Sequence, residues 1–416
     1  MRALLAVVFL AIAVQWAYSY PVDGYADTGI RRLEQVRLTE AGEISGSKQP
    51  PGALLLSNQV DIRLAGRSGD LPSTDPEFSE EVVKLLGEEK DGYSIAVLDL
   101  TDPNAPAYAE FRGDYRQNVG SVGKLVAALG FFQALADTYP DVNDRSALLR
   151  NTTITADRFS HSDHHTIRLF DVEKRELTRR RMADGDQGNL WEYLDWMLSV
   201  SSNAAAAMVM RDSMMLRGLG PRYPLAEAEI SPFFDSMTGG QRTDLFKETF
   251  WQPLPENGFS LHEIRQGSFF TREGKHIVNG GGLSYANARS LMLYLLKMEQ
   301  GRLIDPWTSR TLKRLLYVTE RRIRYASSPA LKKAAVYFKS GSLYSCRKEE
   351  GFQCGAYKGN VKNYMNSVAI VEQKIGDVRL HYAVALISNV LRKNSAVIHQ
   401  SLGTGVHQLI RERHDL

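Results

Sequence analysis

The sequence predicts an α/β fold, with one antiparallel sheet of about five strands flanked by N- and C-terminal helices and joined to an all-helical lobe. Three observations predict it. Strand-like stretches stand near both ends of the chain, helical periodicity fills the middle, and a last helical stretch closes it. Strands drawn from both ends make one sheet, and a cleft between sheet and helical lobe is where a ligand would bind.

The elements follow in order. Asp75 is a fitting N-cap and Pro76 a fitting first residue for a helix that buries Phe78, Val82, Val83, Leu85 and Leu86. Order is expected to begin there. Tyr93 to Leu100 is an apolar strand bounded by Asp91-Gly92 and Asp102-Pro103-Asn104, and Ala107 to Arg112 is its hairpin partner. Lys124 to Leu135, Leu190 to Met210, Tyr285 to Met298 and Asp305 to Leu316 carry apolar residues at helical spacing. Ala334 to Lys339, Met365 to Glu372 and Val378 to Ser388 are the late strands, with Gly376-Asp377 as a tight-turn signal between the last two. Ala396 to Arg411 is the closing helix. The domain is therefore placed at 76–416, with a sheet lobe (76–120 and 334–416) and a helical lobe (121–333).

The ends and the composition bound the class. Met1-Arg2, the apolar run Ala3 to Val14 and the small-x-small Ala17-Tyr18-Ser19 read as a cleaved signal peptide over 1–19. The run is shorter than the about 20 residues that span a bilayer. A periplasmic or secreted protein without stable membrane insertion is expected. Residues 20–75, rich in Gly, Ser, Pro and charge, read as an extension or linker. With 43% hydrophobic residues and a net charge of +3, the chain offers no basic field for nucleic acid. Cys346 and Cys354 are the only cysteines, and their proximity in an exported chain predicts a disulfide.

Acyl transfer by a serine needs a nucleophile, a base, a proton donor for the leaving group and donors aimed at the oxyanion. Ser121-Val122-Gly123-Lys124 supplies the first two if Ser121 opens the helix, since positions i and i+3 share a face. The same pattern recurs at Ser45/Lys48 and Ser345/Lys348, but only Ser121 stands between a strand pair and a long apolar helix. Ser201-Ser202-Asn203, alone, reads as a helix cap, and Lys339-Ser340-Gly341, alone, as a strand end.

Together and in this order, the three motifs resemble the S-x-x-K, S-x-N and K-S/T-G set of the class A β-lactamase and penicillin-binding protein family. The resemblance runs from about Ser79 to the C-terminus and implies a β-lactamase/transpeptidase-like fold. It also implies roles. Ser121 would be acylated with Lys124 as base, Ser201 would pass a proton to the departing nitrogen, and Lys339 would set the electrostatics and hold Ser201. Asn203, Ser340 and Gly341 would bind substrate, and the backbone N–H groups of Ser121 and Ser342 would form the oxyanion hole. No metal and no cofactor is implied.

The sequence also departs from that family. The motifs are spaced more widely than in compact class A enzymes, and Ser202 stands where an acidic residue is usual. No Glu-x-x-Leu-Asn segment carries a deacylating carboxylate. Glu273, with Asn279 downstream, is the positional candidate and Glu256-Asn257 the second. The expected activity is cleavage of an amide or β-lactam bond through an acyl-enzyme, on a small-molecule or cell-wall-peptide substrate. The alternatives are a D-alanyl-D-alanine carboxypeptidase or penicillin-binding protein, and a non-catalytic cell-envelope binding protein. His161 to His165 reads as a solvated loop, because adjacent His164 and His165 should diverge. Arg179-Arg180-Arg181 reads as a solvated helix face.

Overall fold

A computed structural model describes residues 22–317 and 322–416. The expected signal peptide, 1–19, lies outside the described residues. Five strands form one antiparallel sheet in the spatial order Ala107–Phe111, Tyr93–Asp99, Val378–Asn389, Lys362–Ile375, Ala335–Ser345. The two early strands sit beside the last one, so the sheet is closed only after the helical lobe has been inserted. This is the architecture expected from strands at both ends.

The strands read as unbroken apolar runs because both faces are covered. Ile95, Val97, Phe338, Val384 and Leu386 face the flanking helices Pro76–Leu86 and Ser395–Glu412, with Phe78, Val82, Val406 and Ile410 opposite. Ala96, Leu98, Tyr337, Ile370 and Ile387 face the helical lobe, against a core that includes Leu125, Phe131, Met208 and Leu291. Alternate residues along each strand thus enter different cores. The Asp75 carboxylate accepts from Phe78 N–H at 3.0 Å, and Pro76 occupies the first turn as its fixed φ favours.

The run Leu190 to Met210 is two helices, Leu190–Leu198 and Asn203–Leu219, rather than one. The break falls at Ser199 to Ser202, where Ser201 takes φ +65°. A left-handed non-glycine residue costs energy and persists only where its surroundings hold it. Arg179 and Arg180 lie on an exposed strand, Glu176–Arg180, paired with Ile167–Asp171, and not on a helix.

Order also begins well before Thr74. Residues Arg31–Glu40 form a helix that buries Arg32, Leu33 and Val36. Arg32 is paired with buried Asp195 through two hydrogen bonds of 2.6 Å. Farther on, Arg63 N–H donates to Glu299 at 2.8 Å and its guanidinium to Glu372 at 2.7 Å. The extension is thereby tied to both lobes by charged side chains, which leave no apolar period in the sequence.

Candidate active site

The chain enters the helical lobe through a short 3-10 turn, Gly120–Gly123, which runs directly into the helix Lys124–Thr138. Ser121 therefore stands one turn before Lys124, and Lys124 Nζ reaches Ser121 Oγ at 3.1 Å. The second helix of the broken run brings Ser201 and Asn203 to the same point. Lys124 Nζ donates to the Ser201 carbonyl at 2.6 Å and to Asn203 Oδ1 at 2.8 Å, with Ser201 Oγ at 3.3 Å. From the edge strand, Lys339 Nζ donates to Ser201 Oγ at 2.8 Å and to the Ser340 carbonyl at 3.0 Å. Residues from three separate stretches of the chain converge on two serine hydroxyls.

The close approach of that strand explains its glycine. A Cβ on Gly341 would lie 2.6 Å from the Ser121 nitrogen, closer than any side chain tolerates. Gly120, at φ +55°, faces Ser342 N from the other side. The backbone nitrogens of Ser121 and Ser342 thus each lie against the glycine of the opposing segment.

Electrostatics separate the two lysines from ordinary surface ones. Lys124 is fully buried, and burial lowers its pKa to about 7, with the nearby Asp163 carboxylate opposing. Lys339 is pushed well below its ordinary value by burial, by Lys124 and by Arg324. The neutral form of Lys124 has two N–H donors and one lone pair. The Ser201 carbonyl and Asn203 Oδ1 can only accept, so they take the two donors, and the lone pair is left facing the Ser121 hydroxyl. That geometry can remove a proton from Ser121.

Two side chains of the site carry no motif signal. Asp163 belongs to the stretch expected to be a solvated loop, yet its side chain is only 4% exposed. It accepts from Ser202 Oγ and from the backbone N–H groups of Asn203 and Ala204 at 2.7 to 2.9 Å, capping the helix that presents Asn203. Burial raises its pKa, but His165 and the backbone donors outweigh burial and hold it below the usual carboxylate range. The His164 and His165 rings do not diverge; their centroids are 4.1 Å apart. Arg324 donates to Ser340 Oγ at 2.8 Å and to Ser342 Oγ at 3.1 Å. A serine followed by a basic or acidic residue at no fixed distance gives nothing to find it by.

Glu273 is not brought into this cluster. It sits in the first turn of the helix Arg272–Ile277, partly exposed, and shares no hydrogen bond or ion pair with Ser121, Lys124, Ser201 or Lys339. Three residues earlier, the Phe270 ring faces Lys124 Nζ, with its centroid at 4.9 Å. Glu256 bonds only to Gln252 at the surface, and Asn257 braces Pro253, Gln133 and Ile304. The expected Cys346–Cys354 disulfide is formed.

Comparison with known proteins shows the family and the fold. A family model described as the beta-lactamase enzyme family matches residues 77–374. A beta-lactamase from Sphaerobacter thermophilus is 13% identical with a TM-score of 0.50, over 80% of this chain and 97% of that one. One from Chitinophaga pinensis is 12% identical with a TM-score of 0.46, over 79% and 98%. A PBP-A variant in an acyl-enzyme complex with penicillin G is 14% identical with a TM-score of 0.49, over 82% and 100%. At such identities the likeness is one of fold. No curated protein matches the chain.

Proposed function

The chain belongs to the beta-lactamase enzyme family, and from that premise we propose that it is a serine hydrolase that opens an amide or β-lactam carbonyl through an acyl-enzyme on Ser121. The observation that carries the reading is the 3.1 Å approach of buried Lys124 Nζ to Ser121 Oγ. Neutral Lys124 takes the Ser121 proton as Oγ bonds to the carbonyl carbon. Negative charge collects on the carbonyl oxygen, which the N–H groups of Ser121 and Ser342 receive; removing one such donor costs about 10²–10³ in rate. The C–N bond then breaks as Ser201 hands its proton to the nitrogen and takes in exchange the one that Lys124 removed from Ser121, across the 3.3 Å between Lys124 Nζ and Ser201 Oγ. Ser201 Oγ accepts from Lys339, so its own hydrogen is free to point at the substrate. Asn203 keeps its Nδ2 donors for a substrate amide. Arg324, with Ser340 and Ser342 beneath it, forms a place for a substrate carboxylate.

A second reading concerns the fate of the acyl-enzyme. An aromatic ring, Phe270, faces Lys124, and Glu273 stands apart. With no carboxylate hydrogen-bonded to Ser121, Lys124 or Ser201 among the described residues, attack of water has no evident base. This favours a slowly released adduct, as in a penicillin-binding protein, over rapid turnover. Export to a periplasmic or extracellular space belongs to the same proposal, and a disulfide at Cys346–Cys354 suits an oxidising compartment. No described helix is long and apolar enough to cross a membrane.

The test is intact-mass spectrometry with a chromogenic cephalosporin, following colour and mass together. A lasting adduct on Ser121 with little colour supports slow deacylation, and rapid colour with no adduct overturns it. Ser121→Ala should abolish both signals. If Ser121→Ala retains either, Ser121 is not the nucleophile.

A further inference from the structure

A cavity of about 570 Å³, lined by none of Ser121, Lys124, Ser201, Asn203 and Lys339, opens against the segment from Arg322 to Lys332, a size typical of small-molecule pockets. Its walls come from the extension, from the hairpin Ile167–Asp171/Glu176–Arg180 and from the segment around Arg322 to Lys332. Among the described residues, four cationic side chains line it, Lys48, Arg168, Arg322 and Lys332, and no carboxylate does. Among the described residues, Lys48, Arg322 and Lys332 form no ion pair. Arg322 spends its two terminal nitrogens on the carbonyls of Leu331 and Ala334, each at 2.8 Å. Burial holds that guanidinium below its ordinary range, a cost that an anion beside it would offset.

The remaining walls include apolar surface. Val36 and Leu177 line the cavity, and Leu177 is 45% exposed on an otherwise polar strand. Gln35 also lines it, nine-tenths buried. Its Nε2 donates to Thr39 Oγ1, while its Oε1 has no hydrogen-bond partner. A buried polar atom left unpaired in a native fold calls for a partner.

We infer that this cavity binds a small organic anion with an apolar body, its charge held among Lys48, Arg322 and Lys332 and its hydrophobic part against Val36 and Leu177. A donor on the ligand would satisfy Gln35 Oε1. The extension then has a use beyond bracing the fold, because it supplies one wall of a site that the catalytic domain alone would not enclose.

Fluorescence titration of the full mature chain with anilinonaphthalene sulfonate tests this, with neutral N-phenylnaphthylamine as the matched compound lacking the charge. One saturable site is expected, with the neutral compound about tenfold weaker. The double variant Lys48→Glu/Lys332→Glu should weaken the anion by about tenfold or more while melting as the parent does. Ser45→Trp, which fills the cavity from an exposed loop position, should remove binding without any change of charge. Equal affinity for the neutral compound, or undiminished anion binding in Ser45→Trp, would overturn the inference.

Discussion

Lys124 and Lys313 are both fully buried, yet they sit in opposite surroundings. Lys313 Nζ lies 2.5 Å from Glu299 and 2.6 Å from Glu372, and donates to the Asp61 carbonyl at 2.7 Å. Arg63 and His381 complete that cluster, and burial of Glu372 is outweighed by Lys313, His381 and Arg63, which hold its carboxyl low. Among the described residues Lys124 is offered only neutral acceptors, and the Asp163 carboxylate that acts on it is already engaged by three donors at the start of the helix it caps. One buried ammonium is neutralised by ion pairs and serves as a structural pin. The other is left without an ion pair, and its proton becomes exchangeable near neutral pH. A buried lysine whose neighbours accept hydrogen bonds without bringing charge gives up its proton more readily.

The largest expected effect separates the two lysines by activity and stability. Lys124→Ala should slow acylation by about 10²–10⁴ while lowering unfolding free energy by about 1–3 kcal/mol. Lys313→Ala strands two buried carboxylates and should cost about 3–5 kcal/mol in a urea titration. If the two variants lose equal stability, the contrast drawn between them is false.

The pH profile sharpens the same comparison. Only the neutral amine can act as base, and its fraction grows as pH rises toward the Lys124 pKa. Acylation should therefore climb about tenfold per pH unit on the acid side and level off above about 7. A rate that is flat from pH 5 to 9, in a stopped-flow measurement, would remove Lys124 from that role.

The smallest effect concerns Asp163, a positioning residue. Its charge raises the Lys124 pKa, so Asp163→Asn should move the inflection to lower pH. Loss of the charged cap is worth about 1 kcal/mol, so the plateau should fall by no more than about tenfold. A role confined to helix capping would lower the plateau and leave the inflection where it was.

Much of this architecture was legible because burial on both faces writes itself into composition. The strands Tyr93–Asp99, Lys362–Ile375 and Val378–Asn389 read as apolar runs, and the bounds expected for them lie close to those observed. The helix Lys124–Thr138 was legible from its spacing. The break at Ser201 was not, since the apolar period continues through it and only the tertiary neighbours hold its φ. The helix Arg31–Glu40 was missed for a different reason. Besides Leu33, Val36 and Leu38 it buries Arg32 against Asp195, and a charge that will be paired looks the same in sequence as one that will be solvated.

By itself the sequence determined which residue types are available and in what order. Ser121 and Lys124 share a helical face because three residues make nearly one turn, and Gly341 permits a backbone approach that any side chain would block. Only the tertiary structure decided what surrounds them. It placed Asp163 under Asn203, Arg324 over Ser340 and Phe270 beside Lys124, and it put Glu273 out of reach. The reason is that desolvation and Coulomb interaction depend on distance in space, and residues far apart in the chain set those distances only once the sheet has closed.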